Sequence, residues 1–221
     1  MVELKYPNTS FVEYIEFISK YCIKNNLTLI LKESLAENTA CEYSDIDLLI
    51  FGELNNKNIT EIVHNYNIPL LINISTIPKG MLIITYENGF SIDLDVRKTI
   101  IEEDITQNNK IIINNGISLS KSIIRYDLNI MDFNSVYSIE LLEILKLIIK
   151  GTNKYLSGKE TCANEFLVEI KDKCKLYFGI MEFQFDNNYE HDIILIYKYI
   201  ISKYNLDEMK HKYFNKLLSL E

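Results

Sequence analysis

The residues of this chain best suited to chemistry are the acids of Ser44-Asp45-Ile46-Asp47-Leu48-Leu49-Ile50. Strand alternation puts Ile46, Leu48 and Ile50 on one face and Asp45, Asp47, Leu49 and Phe51 on the other. Both faces turn apolar further along, which is the pattern of a strand covered on both sides rather than one whose polar face meets water. Two carboxylates about 5 Å apart repel by roughly 3 kcal/mol at an effective dielectric near 20, but by under about 1 kcal/mol in bulk water, so a partly enclosed pair favours a cation. Oxygen-only donors at this spacing suit Mg²⁺, which takes one or two carboxylates together with substrate phosphates. The ordinary alternative is an exposed pair that caps a strand or fills a turn.

A third acid is available further on. Asn88-Gly89 lies between the β-prone runs 81–86 and 90–96 and predicts a hairpin turn. On its second strand Ser91, Asp93, Asp95 and Arg97 share one face, with Phe90, Ile92, Leu94 and Val96 on the other. Asp93 and Asp95 are both candidates. Clean alternation also describes a half-exposed antiparallel strand, on which Asp95 would pair with Arg97 or with water. Three carboxylates holding two metals about 3.5–4 Å apart form the usual clamp on an in-line phosphoryl or nucleotidyl displacement.

These acids need elements to position them. Asn8-Thr9-Ser10 supplies capping side chains before an apolar pattern of helical period, predicting a helix to about residue 25. Runs 27–32 and 45–51 read as buried strands, 58–65 as a helix, and 69–74 and 110–113 as further strands. From about residue 135 the pattern is helical, over 138–150, 160–178, 189–204 and 206–220. The expectation is an α/β (α+β) architecture, a mixed sheet with flanking helices over 1–133, followed by an all-helical domain over 134–221 with a cleft between the two.

Composition narrows the class of function. The formal charge of −8 argues against a protein that grips long nucleic acid, which requires clustered Lys and Arg, and suits a small or cationic substrate. Cys22, Cys41, Cys162 and Cys174 have no zinc-site spacing and read as reduced thiols. His64, His191 and His211 are isolated in sequence, and Glu140, Glu143, Lys146 and Lys150 have the spacing of helix-surface ion pairs. With no signal-peptide pattern and no apolar run long enough to span a bilayer, a soluble, cytoplasmic protein without membrane contact is expected.

The stretch Glu33-Ser34-Leu35-Ala36-Glu37-Asn38, five residues, then Ser44-Asp45-Ile46-Asp47 resembles the polymerase-β-like nucleotidyltransferase signature, Gly-Ser-x-Ala-x-Gly, five residues, Ser-Asp-x-Asp. Phe90-Ser91-Ile92-Asp93-Leu94 is similar to that superfamily's third-carboxylate strand and selects Asp93 over Asp95. The helical half resembles that of small antibiotic nucleotidyltransferases, which modify aminoglycosides or lincosamides. The resemblance implies a nucleotidyltransferase fold and transfer of a nucleoside monophosphate, usually AMP from ATP, onto a hydroxyl with release of pyrophosphate.

On that resemblance Asp45, Asp47 and Asp93 are the catalytic metal ligands, holding Mg²⁺ and the triphosphate, and Asp93 also helps to deprotonate the acceptor. Ser34 and Ser44 contribute on the nucleotide side, and Lys150 or Lys154 is a basic residue from the helical half that would reach the triphosphate. The acceptor class it implies is a small, cationic, aminoglycoside-like molecule, and thus antibiotic resistance. A toxin-type or regulatory transferase acting on a protein or tRNA is the alternative enzyme. Glu33 and Asn38 stand where the signature has glycine. A carboxylate at the first position adds bulk and repels a polyanion, and defines a further alternative, a binding module that keeps the fold without turnover.

Overall fold

The computed structural model describes residues 4–76, 78–106, 108–129, 133, 138–179, 185–186 and 188–204. The chain divides into two compact units: Met1–Tyr86 with Phe90–Ser135, and Val136–Glu221 with Glu87–Gly89. Residue 134, the far side of the expected boundary, and the expected helix 206–220 lie outside the described residues.

In the first unit, α1 (Thr9–Lys24) starts at Asn8, whose side chain accepts from the Ser10 amide and so satisfies one of the unpaired donors at a helix start. It buries Phe11, Tyr14, Ile15, Ile18 and Cys22. There follow β1 (Thr28–Leu31), α2 (Glu33–Ala36), β2 (Ile46–Phe51), α3 (Asn56–His64), β3 (Leu71–Thr76), β4 (Lys79–Thr85), β5 (Ser91–Arg97), α4 (Glu102–Ile105) and β6 (Lys110–Ile113). The strands form one six-stranded mixed sheet in the order β3-β4-β5-β2-β1-β6. β2 and β5 run parallel, and the other neighbours run antiparallel.

The expected hairpin is β4–β5. It closes from the Tyr86 amide to the Phe90 carbonyl at 2.9 Å, with Gly89 at φ 83°, a conformation that favours glycine because it has no Cβ. Phe90 then packs against the rings of Phe11, Tyr14, Tyr66 and Tyr86, tying the start of β5 to α1.

The two sheet faces differ. Ile46, Leu48 and Ile50 of β2 and Ile92, Leu94 and Val96 of β5 enter the large core shared with α1 and α3. On the opposite face a smaller cluster of Ile30, Leu49 and Ile100, with Phe51, Ile105 and Ile117 against it, covers one end of the strands. Every residue of β5 is buried, so this strand is covered on both faces and is not the half-exposed strand that its alternation also allowed.

The second unit holds three described helices, α5 (Ile139–Leu156), α6 (Glu160–Phe178) and α7 (Tyr189–Tyr204). They bury Ile144 and Ile148, Leu167 and Ile170, and Ile193 and Ile196. Lys173 of α6 pairs with Glu143 of α5 at 2.9 Å, and Lys171 of α6 pairs with the buried Asp192 of α7 at 2.6 Å. Glu143 thus reaches another helix rather than serving only as a surface pair within its own. Gly151 permits the close approach of α5 to α7, since a Cβ there would lie 2.6 Å from the Tyr189 hydroxyl. Among the described residues no helix is long and apolar enough to cross a membrane.

Candidate active site

The parallel pairing of β2 with β5 has a direct chemical consequence: Asp47 and Asp93 are register partners. Partners on neighbouring strands share a face at about the 4.7–4.9 Å strand spacing, and here the shared face is the one opposite the large core. Asp93 is buried and Asp47 half-buried. Asp45 immediately precedes β2, and its Oδ1, like that of Asp93, is a buried oxygen. The candidate ligand atoms are all carboxylate oxygens, which suit a hard divalent cation, and a cation between register partners would offset the repulsion of burying them together.

Asp95, the rival third acid, lies next on the same face of β5 and is neutralised. Arg97 donates to its Oδ2 at 2.7 Å through Nε, and Arg125 forms a fork with both oxygens at 2.8 and 2.9 Å. Arg125 comes from a distant segment that runs antiparallel to the end of β5 and bridges to Arg97. Arg97 also donates to Asp104 Oδ2 at 2.6 Å, and Asp104 accepts the Ile101 amide at 3.1 Å. Burial pushes the Asp95 carboxyl up, but the hydrogen bonds and charges of Arg125 and Arg97 outweigh it and hold the group below the usual carboxylate range. Asp95 is therefore a structural ion-pair residue, and Asp93 is the acid that stands beside Asp47.

The loop between β1 and β2 is held by the Ser34 carbonyl, which accepts the Thr39 and Ala40 amides at 2.8 and 3.1 Å. Ser44 Oγ accepts the Cys41 amide at 3.0 Å, and its own amide donates to the Cys41 carbonyl at 3.0 Å, so Ser44 closes the turn that starts the acidic strand. Glu33 and Asn38, the two positions where the resembled signature has glycine, have φ of 50° and 61°. The backbone adopts the left-handed conformation at both despite the side chains. Asn tolerates it, and Asn38 Oδ1 also accepts the Lys5 amide at 2.8 Å. Glu33 is exposed, so its carboxylate stays in water.

Lys150 lies half-buried in α5 of the second unit. Tyr189 and Tyr197 are buried packing residues, and Tyr189 stacks on Tyr155 at 4.8 Å. Burial pushes the Cys22 and Cys174 thiols up to about 12, which keeps them unreactive.

Among the described residues, the set of three whose ligand atoms all lie within 4.8 Å of one another is Asp186, His191 and Asp192, not the acids of the sheet. His191, isolated in the sequence pattern, has Asp186 at 3.2 Å and the adjacent Asp192 at 3.6 Å. This cluster is poorly suited to a cation: Asp192 already binds the Lys171 ammonium and the Asp186 amide, and Asp186 and His191 are exposed. The sheet acids lie in neighbouring register rather than converging on one point.

No protein-family model matches the chain, and no curated protein does either.

Two outcomes follow from this geometry. Glu33→Gly removes the left-handed strain of a non-glycine residue and raises stability by about 0.5–1 kcal/mol in urea unfolding; an unchanged or lowered midpoint contradicts the strain. Asp95→Asn leaves two guanidiniums short of their counter-charge and costs about 3–5 kcal/mol. Because the Asp95 carboxyl is held low, its contribution is present above the unfolded value of about 3.9 and lost as pH falls through the lower folded value. Wild type therefore loses stability in that acid window, and the variant shows a flatter profile there; matching profiles contradict the ion pair.

Proposed function

We propose that the first unit is a polymerase-β-like nucleotidyltransferase domain and that the protein transfers a nucleoside monophosphate, AMP from ATP, onto a hydroxyl of a small cationic molecule of the aminoglycoside kind. The observation that carries the reading is the register pairing of Asp47 with Asp93 on the parallel β2–β5 ladder. The left-handed backbone at both Glu33 and Asn38 supports it independently, since those are the positions at which the signature has glycine.

Asp45, Asp47 and Asp93 would hold Mg²⁺, which supplies charge compensation for the triphosphate and polarises the reacting phosphoryl group. The residues of the chain do the rest. The β1–β2 loop, held by the Ser34 carbonyl, borders the acid row on the nucleotide side. Asp93 accepts the proton of the attacking hydroxyl. The acceptor oxygen forms a bond to the α-phosphorus while the bond from that phosphorus to the bridging oxygen breaks, and pyrophosphate leaves with that electron pair. Burial of Asp93 keeps bulk water from competing for the proton. The net charge of −8 favours encounter with a cationic acceptor.

The experiment is transfer of label from [α-³²P]ATP with Mg²⁺ to a panel of aminoglycosides and lincosamides, alongside a cell lysate. Label on a small acceptor, reduced at least about 100-fold in Asp45→Asn/Asp47→Asn, is expected, because a metal contributes several kcal/mol of transition-state stabilisation. Label on protein or tRNA in the lysate would replace the small-molecule acceptor by a macromolecular one. No transfer by wild type, or equal transfer by the folded double variant, overturns the reading.

A further inference from the structure

The acid row extends one strand further, and its next member is a cation. Lys32 follows β1 with extended backbone, φ −123° and ψ 168°, and its amide donates to the Asp47 carbonyl at 2.9 Å, continuing the β1–β2 ladder past Leu31 and Leu48. Alternation from Ile30, which lies in the smaller cluster with Leu49, keeps Lys32 on that face. The order across the sheet is thus Asp93 on β5, Asp47 on β2 and Lys32 at the end of β1.

The Lys32 ammonium is braced from behind. It donates to Asp104 Oδ1 at 3.4 Å, while the other oxygen of Asp104 is fixed by Arg97 and the Ile101 amide. Asp104 is buried, whereas the Lys32 side chain is 26% exposed. That one long hydrogen bond uses one of the three donors of an ammonium. As a pair for stability alone it is weak, because partly exposed ion pairs contribute about 0–1 kcal/mol. Its position is better matched to an anion beside the acids: carboxylates that held a divalent cation would draw the phosphates of a nucleotide to this face, and a braced ammonium at the end of the row would meet their remaining charge.

We propose that Lys32 is a phosphate-binding residue of this site, contacting the β- or γ-phosphate of a nucleoside polyphosphate, and that Asp104 is the positioning residue that holds it. The assignment rests on the transfer chemistry proposed above. It places the phosphate cation within the same unit as the acids.

The test is calorimetric titration of the full chain with Mg²⁺ and ATP, ADP or AMP, for wild type, Lys32→Met, Lys32→Arg and Asp104→Asn, with thermal midpoints measured in parallel. Lys32→Met keeps the apolar stem and is expected to weaken ATP binding about tenfold or more while leaving AMP unchanged, the loss of one charge-assisted contact, with ADP weakened alike by loss of a β contact and spared by loss of a γ contact. Lys32→Arg is expected to restore most of the ATP affinity, and Asp104→Asn to weaken ATP less than Lys32→Met does. A purely structural lysine would instead lower the thermal midpoint and move all three nucleotides alike. If wild type binds ATP in a manner lost in Asp47→Asn but Lys32→Met binds it equally well, the role of Lys32 is overturned and the transfer reading stands. If wild type binds none of the three nucleotides, both are overturned.

Discussion

Two carboxyl groups set side by side on neighbouring strands resist burial, and Asp47 and Asp93 are held there by the parallel β2–β5 ladder. That ladder depends on the elements between the two strands. From β2 the chain passes through α3, turns through the antiparallel β3 and β4, and returns in β5 with the direction of β2. Ile46 against Ile92 and Leu48 against Leu94 lock the register on the core side. A slip of one residue would put acids into that core and isoleucines on the other face. The apolar face thus fixes the placement of the polar one.

The same face of β5 handles two acids in opposite ways. Asp95 is enclosed by guanidiniums from Arg97 and Arg125, and Arg97 spans onward to Asp104. This network rigidifies the covered end of the strands, where Ile100 and Ile105 also pack. Through Asp104 it reaches Lys32, so the ion pairs at one end brace the cation at the other. Strain is stored nearby: Glu33, directly after Lys32, is held left-handed at a cost of order 1 kcal/mol or more. A backbone that keeps this shape with an unfavourable residue is set by the loop as a whole rather than by its local preference.

Much of this was legible in the residues. The strand at Lys110–Ile113 and the helices Glu160–Phe178 and Tyr189–Tyr204 have the bounds that their periodicity predicts, because apolar period and burial coincide there. The four-residue helices α2 and α4 were not legible: neither is long enough to show a period, and each is shaped by packing of the surrounding loops. Alternation placed Asp93 and Asp95 on one face but gave no means of separating them. The pairing of Asp95 with Arg97, two positions on, was legible, but that with Arg125, thirty positions away, was not, since long-range pairing leaves no local trace. Lys32 was missed as a site residue because it looked like the end of an apolar run, although extending the alternation of β1 by one residue puts it on the acid face. The contact of His191 with Asp186 and Asp192 is local, but an acid a few residues from a histidine is too common a pattern to signal it.

The claim that the register partners share a cation is tested most directly by Mn²⁺ binding in the presence of ATP, read from the paramagnetic resonance of the free ion. The account predicts that Asp47→Asn weakens Mn²⁺ binding at least about tenfold while Asp186→Asn leaves it unchanged. Equal binding by wild type and Asp47→Asn, or loss confined to Asp186→Asn, would contradict it.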